Sequence, residues 1–355
     1  MPLRWAAGGF YLCFSLQSSS ASAACDSSRI TAVADTGSPF LLVAKCLRSD
    51  CKTYCAEVGC FEGQGSPSGE ADSMEGYASG LVEVAWRTNG KVSFPGASRG
   101  DALELQNMRF GVQGRVIGFG GTGKAVFFGL IRDHMSDIKT SFLEQTPFQS
   151  LVIDLRAPGA EKLVLSPMPM AGPMAGRPSS RIKLADPRRW GDPVKHYCAV
   201  VKMISVGGRV VPSNSSSEPR KVLAIFDTGT TGVSMTPGLY ESYWLMAQTA
   251  AQDGLGWSQA RKLKVFFDST SGSDVAFDMY TGKHPSYGIG LDLVTPINEM
   301  AWVGVGPAES IANYKVPGGV PEQQPFEDVM LLGLGFLIGK CIAIDTKMDE
   351  LAVVE

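Results

Sequence analysis

Two short segments of this chain carry residues arranged for acid–base chemistry. Asp35-Thr36-Gly37-Ser38 follows the apolar run Ile30-Thr31-Ala32-Val33-Ala34, and Asp227-Thr228-Gly229-Thr230 follows Val222-Leu223-Ala224-Ile225-Phe226. Each reads as a strand entering a tight turn that holds one carboxylate, two hydroxyls and a glycine. A carboxylate at the end of an apolar strand is costly to bury unless donors surround it. The glycine lets the backbone turn its N–H groups toward the oxygens, and Ser38 and Thr230 can add hydroxyl donors. If the two turns meet, carboxylates about 3 Å apart cannot both ionise and must share one proton. The ionised member can then take a proton from a held water while the other protonates a carbonyl oxygen. That chemistry hydrolyses peptides without a metal or covalent intermediate, and it favours acidic pH.

The turns lie 192 residues apart in a chain of 355, so each belongs to one half. A second element repeats downstream: Val116-Ile117-Gly118 ends 83 residues past Asp35, and Leu331-Leu332-Gly333 ends 106 past Asp227. Two halves with a shared plan follow. Glycine (41) and proline (21) are frequent and charged residues make up only 19%, which suits many short strands. Strand signals fill residues 196–206 and run into Gly207-Gly208. The clearest helix starts at Thr236-Pro237, with Leu239, Tyr243, Met246, Ala247 and Ala250 on one face. Residues 166–193 are rich in Pro, Met and Gly and read as a connector, because prolines do not sit in central strands. The expected organisation is a leader at 1–23, an N-terminal lobe at 24–165, the connector, and a C-terminal lobe at 194–355.

Composition narrows the function classes. A net charge of −3 gives no phosphate-binding footprint, so nucleic acid is not an expected partner. Three histidines, His134, His196 and His284, offer little for a metal cage or a Ser-His pair, and no cofactor or metal is expected. No run is long and apolar enough for a transmembrane helix. Arg4, an apolar stretch at 5–16 and a Ser/Ala-rich run ending Ala21-Ser22-Ala23 have the order of a secretory signal. Cys46, Cys51, Cys55 and Cys60 lack the spacing of zinc knuckles and suit disulfides in an oxidising compartment, and Asn214-Ser215-Ser216 is a glycosylation sequon. On this reading Cys13 leaves with the signal, and Cys198 and Cys341 either pair or stay as buried thiols.

These features resemble the pepsin-like aspartic proteases, in their plant-type, nepenthesin-like branch. The two Asp-Thr-Gly turns match the paired signatures, the cysteine cluster resembles the Cys-rich insertion of that branch, and residues 197–208 resemble the opening of its second lobe. The run Leu331-Leu332-Gly333-Leu334-Gly335-Phe336-Leu337, continuing to Asp345, resembles the last strands of the family. The resemblance implies an all-β, bilobal fold with a peptide cleft, Asp35 and Asp227 as the catalytic pair, and Thr36 and Thr228 bonded across the interface. It further implies a monomer that takes polypeptide substrates and works in an acidic secretory lumen or outside the cell.

Three features depart from that family. Tyr77 is the flap candidate in the stretch 72–80 but sits later than the family spacing. Pro39-Phe40-Leu41-Leu42-Val43 lacks the tryptophan that supports the flap tyrosine. Only 34 residues precede Asp35, where members carry further strands. The competing function is a catalytically inactive relative that binds glycoside hydrolases, although both signatures stand intact here. Gly118-Phe119-Gly120-Gly121-Thr122-Gly123-Lys124 fits phosphate-cradling patterns, but Ala125 replaces the metal-binding hydroxyl and no acidic residue follows at the required place. A turn behind the first carboxylate is the better reading. Asp345-Thr346-Lys347 reads as a surface strand end, and Met168, Met170 and Met174 as connector packing.

Overall fold

The computed structural model describes residues 1–6, 8–16, 30–44, 59–61, 73–77, 80–94, 103–117, 126–135, 139–170, 178–213, 220–297 and 326–354. Within them the protein is mostly β, as the turn-rich composition suggests, in four sheets. The first sheet runs Leu42–Ala44, Leu103–Ile117, Gly80–Phe94, Gly9–Leu16, Ile30–Asp35, Phe127–Gly129, with Arg4–Ala6 and Ser73–Tyr77 added as hairpin partners. A second sheet joins chain middle to chain end, in the order Lys162–Ser166, Ser150–Asp154, Cys341–Asp345, Glu350–Val354, Pro178–Lys183. The third runs Cys198–Val201, Val222–Phe226, Asp328–Leu332, Val233–Met235, Val294–Pro296, and the fourth holds Arg209–Val210, Met203–Val206, Leu263–Phe267 and Val275–Asp278.

Aromatic side chains fill the core beneath each Asp-Thr-Gly turn. Phe14, Phe94, Phe128 and Phe142 pack with ring centroids 4.3–6.3 Å apart under the first, and Phe226, Phe267 and Phe277 pack 5.5–5.8 Å apart under the second. The helix spans Pro237–Gln252 and buries Leu239, Tyr243, Ala247 and Ala250, with Met246 half-buried. Thr236 does not cap it by a side-chain bond. Its hydroxyl goes instead to the Asp328 carboxylate, which is also paired with the buried Arg220.

Several expectations are corrected. Gly9–Leu16 pairs with both Ile30–Asp35 and Gly80–Phe94 and buries Phe10, Leu12 and Phe14. An apolar stretch suits a leader and a sandwiched strand equally, and in this fold it supplies strands ahead of Asp35. The Ser150–Asp154 and Lys162–Ser166 strands lie in the second sheet, beside Cys341–Asp345. The 166–193 connector contains a strand, Pro178–Lys183, at the sheet edge, where a leading proline costs no ladder bond. Asp345 ends a strand but is buried, its carboxylate accepting from the N–H groups of Lys347, Met348 and Met170.

The repeated triplet is also displaced. Val116-Ile117 ends a hairpin strand, paired with Leu81-Val82, and does not run beside Ile30–Asp35. Phe127-Phe128-Gly129 does: it lies parallel to Ile30–Asp35 with Asp35 opposite Gly129. In the other half, Asp328–Leu332 lies parallel to Val222–Phe226 with Phe226 opposite Leu332, which brings Gly333 level with Asp227. Both glycines are required by close approach. A Cβ on Gly129 would fall 2.4 Å from Phe40 N, and one on Gly333 would fall 2.2 Å from Thr230 O.

Cys198 and Cys341 are buried free thiols, and Cys13 and Cys60 are disulfide-bonded. Met170 packs against Cys341, Ala343 and Ala352, while Met168 is exposed. Cys46, Cys51, Cys55, Met174, the sequon at 214–216 and the glycine-rich stretch 118–124 lie outside the described residues. Among the described residues no helix is long and apolar enough to cross a membrane.

Candidate functional site

Each carboxylate is placed by the same local device. A strand, alternately buried and half-buried in Ile30–Asp35 and fully buried in Val222–Phe226, delivers the aspartate at its end, and the chain then turns back on it. Gly37 N donates to Asp35 Oδ1 at 2.7 Å, and Gly229 N donates to Asp227 Oδ1 at 2.8 Å. Thr230 Oγ1 adds a bond of 2.6 Å to Asp227 Oδ2. Ser38 does not match it: its hydroxyl is buried without a well-aligned partner, yet it lies close enough to Asp35 to draw that carboxyl's pKa down.

The turns from the two halves face each other through their threonines. Thr36 N donates to Thr228 Oγ1 at 3.1 Å, and Thr228 N donates to Thr36 Oγ1 at 2.9 Å. Each hydroxyl passes its own proton to the opposite strand, Thr36 Oγ1 to Phe226 O at 2.8 Å and Thr228 Oγ1 to Ala34 O at 2.6 Å. All four groups are buried and all four are satisfied, so the two turns are fixed as one unit.

That unit brings the carboxylates together. A Cβ placed on Gly229 would lie 2.5 Å from Asp35 Oδ1 and 3.1 Å from Asp227 Oδ1, so the oxygens can be no farther apart than those two distances combined. Gly37 stands in the mirrored position, its Cβ falling 2.5 Å from Asp227 Oδ1. Asp35 is 4% exposed and Asp227 8%, so little water screens them. Burial first, then the charge of Asp227 and a hydrogen bond to it, hold the Asp35 carboxyl well above the usual carboxylate range, against the pull of Ser38 and Gly37 N. The pair is built to hold one proton and titrates as a unit.

No model of a known protein family matches the chain, and no curated protein sequence matches it. The site is therefore read from its own geometry.

Tyr77 ends the strand Ser73–Tyr77, paired with Gly80, and its side chain lies outside the described residues. The base of this hairpin is described. Trp86 is buried edge-on against Phe40, with ring centroids 5.0 Å apart, and its indole N–H donates to Ser73 Oγ at 2.7 Å. Ser73 Oγ donates in turn to Glu75 Oε1 at 2.5 Å. A tryptophan is thus present at Phe40 after all, delivered from the hairpin and not from the segment after Asp35. Its position in sequence gave no signal, because the contact depends on how the hairpin folds over.

Sequence reasoning also missed Thr231, whose hydroxyl donates to Gly8 O at 2.7 Å and ties the second turn to the N-terminal hairpin. It missed His196 as well. Among the described residues no group of His, Cys, Asp and Glu is placed to hold a metal ion.

The glycines give a direct test of the geometry. In Gly229→Ala the new methyl would enter the space between the carboxylates, both held by hydrogen bonds and unable to step aside freely. Any proteolytic kcat should fall by about 10²-fold or more, as for a misplacement of about 1 Å, while the protein still folds. Steady-state kinetics beside a thermal melt measure both.

Proposed function

We propose that this protein is an aspartic endopeptidase of bilobal, pepsin-like architecture. Asp35 and Asp227 activate a water between them and protonate the scissile carbonyl at acidic pH. The observation that carries the reading is the meeting of two Asp-Thr-Gly turns from distant parts of the chain, locked by reciprocal threonine bonds, with Asp35 held protonated above its usual range. Two acids that share a proton provide a base and an acid at once, which is what hydrolysis of an amide by free water requires.

Other features support it. The parallel strand pairs ending at Gly129 and just before Gly333 back the two turns in the same way, as expected of two lobes with one plan. The substrate class is an extended polypeptide lying between the lobes. The disulfide-bonded Cys13 and Cys60 suit an oxidising, secretory setting.

The test is proteolysis of a denatured protein substrate between pH 2 and pH 7 by the purified chain, with and without pepstatin. Cleavage that peaks below neutral pH and disappears with pepstatin supports the reading. Tight binding to a glycoside hydrolase with no cleavage at any pH would replace it by the inactive-relative function.

A further inference from the structure

Beside the second turn stands a histidine that the dyad chemistry does not use. Strand Cys198–Val201 runs antiparallel to Val222–Phe226 with Cys198 opposite Ile225, and Phe226 N donates to Tyr197 O at 2.9 Å. Continuing that register by two residues sets His196 opposite Asp227. Side chains alternate along a strand. Cys198 and Ile225 share one face, packed with Trp190, Leu223 and Leu331, so His196 and Asp227 share it too. Directly opposed residues on one face are nearest neighbours across a sheet.

His196 is held from its other side. Its Nε2 lies 3.5 Å from Asp192 Oδ2, and the two side chains are 13% and 1% exposed. Asp192 is fixed in turn, Oδ1 accepting from Val194 N at 2.9 Å. The Asp186–Arg188 ion pair and the Cys198 thiol stand around Asp192. Asp192 contacts the imidazole, and the charge of Asp227 acts on it.

We propose that His196, seated against Asp192, is a positioning residue that sets the charge of the catalytic pair by placing a titratable imidazole beside Asp227. The inference rests on the dyad reading given above. Burial lowers the imidazole to about 4, against the opposing pull of Asp227, and burial raises Asp192 to about 8, so Asp192 is uncharged in the acid range. As pH falls through 4, His196 gains a positive charge next to Asp227. A neighbouring cation favours a carboxylate's ionised form, so the pair keeps its single negative charge to lower pH than it would alone.

Two measurements test this, one without any turnover. The chain has three histidines, so the imidazole C2–H resonances can be assigned by replacing each in turn. Asp227→Asn removes the facing charge, and the His196 midpoint should drop by about half a unit or more while those of His134 and His284 stay put. In His196→Gln, the acid limb of the kcat/KM profile should move up by about 1 pH unit, because the carboxylate pair then lacks a neighbouring cation. A merely structural histidine would lower activity at all pH values without moving that limb.

An unmoved His196 midpoint in Asp227→Asn overturns the inference, even if His196→Gln fails to fold. So does an unshifted acid limb in a folded His196→Gln. If the parent shows no acid proteolysis, the peptidase reading fails, and the NMR coupling still decides whether His196 and Asp227 act on each other.

Discussion

Asp227→Asn and Asp35→Asn are each expected to lower acid proteolysis by about 10⁴-fold or more, since residues that act as one catalytic unit lose nearly everything when one is removed. Neither should unfold the protein. Asparagine keeps the shape of the side chain and still offers one oxygen to the glycine N–H that now bonds to Oδ1. The reciprocal threonine bonds that fix the turns do not involve the carboxylates. Loss of activity with retention of fold is therefore the signature to seek. Residual cleavage within about tenfold of the parent in either variant would sink the dyad mechanism.

The same substitutions carry a stability prediction whose sign is set by linkage. The Asp35 carboxyl titrates above its unfolded value, so between those two pH values the native state binds the proton and the unfolded state does not. Stability from this group is complete below the ordinary carboxylate range and is lost as pH rises through the raised folded value, at about 1.4 kcal/mol per pH unit for one proton. Asp35→Asn removes that slope. Relative to the parent it should gain in melting temperature on going from pH 3.5 toward neutral. Asp192, raised to about 8 by burial, contributes a slope of the same sign that both proteins retain. Thermal melts across that range compare the two proteins directly, and they need no substrate.

The two Asp-Thr-Gly turns were legible in the sequence because each packs its chemistry into four adjacent residues behind an apolar strand. The helix at Pro237–Gln252 was legible for a similar reason, since Leu239, Tyr243, Ala247 and Ala250 keep helical spacing. What could not be read depends on contacts between distant segments. Val116-Ile117-Gly118 and Phe127-Phe128-Gly129 are both apolar pairs followed by glycine, and only strand pairing decides which one backs Asp35. The position of Phe127-Phe128-Gly129, 94 residues past Asp35, is also nearer to the 106 found in the second half. His196 and Trp86 gave no pattern at all: one acts through cross-strand register, the other through the fold of a hairpin. In sequence Asp345 reads as a surface residue because a turn bearing Lys347 looks solvated, whereas its carboxylate is turned inward to cap that turn.

The apolar segment before Asp35 carries the largest expected effect on stability. Gly9–Leu16 lies between the strand that delivers Asp35 and the long strand Gly80–Phe94, with Tyr11 opposite Val33 and Leu16 opposite Val92. Phe10, Leu12 and Phe14 are almost completely buried, and each contributes about 1.5–3 kcal/mol by leaving water. Together that rivals the net stability of about 5–15 kcal/mol typical of a folded domain. The segment also reaches the other half: Trp5 Nε1 donates to Tyr287 O at 3.2 Å, and Thr231 Oγ1 donates to Gly8 O at 2.7 Å next to the second Asp-Thr-Gly turn. Removing residues 1–23 should therefore leave the Ile30–Asp35 strand unpaired on one side and abolish cooperative unfolding, seen as loss of the near-ultraviolet dichroism and of a sharp melt. The milder Phe14→Ala should cost about 3–5 kcal/mol. A truncated chain that melts cooperatively within a few degrees of the parent would show that the segment is dispensable and support its reading as a leader.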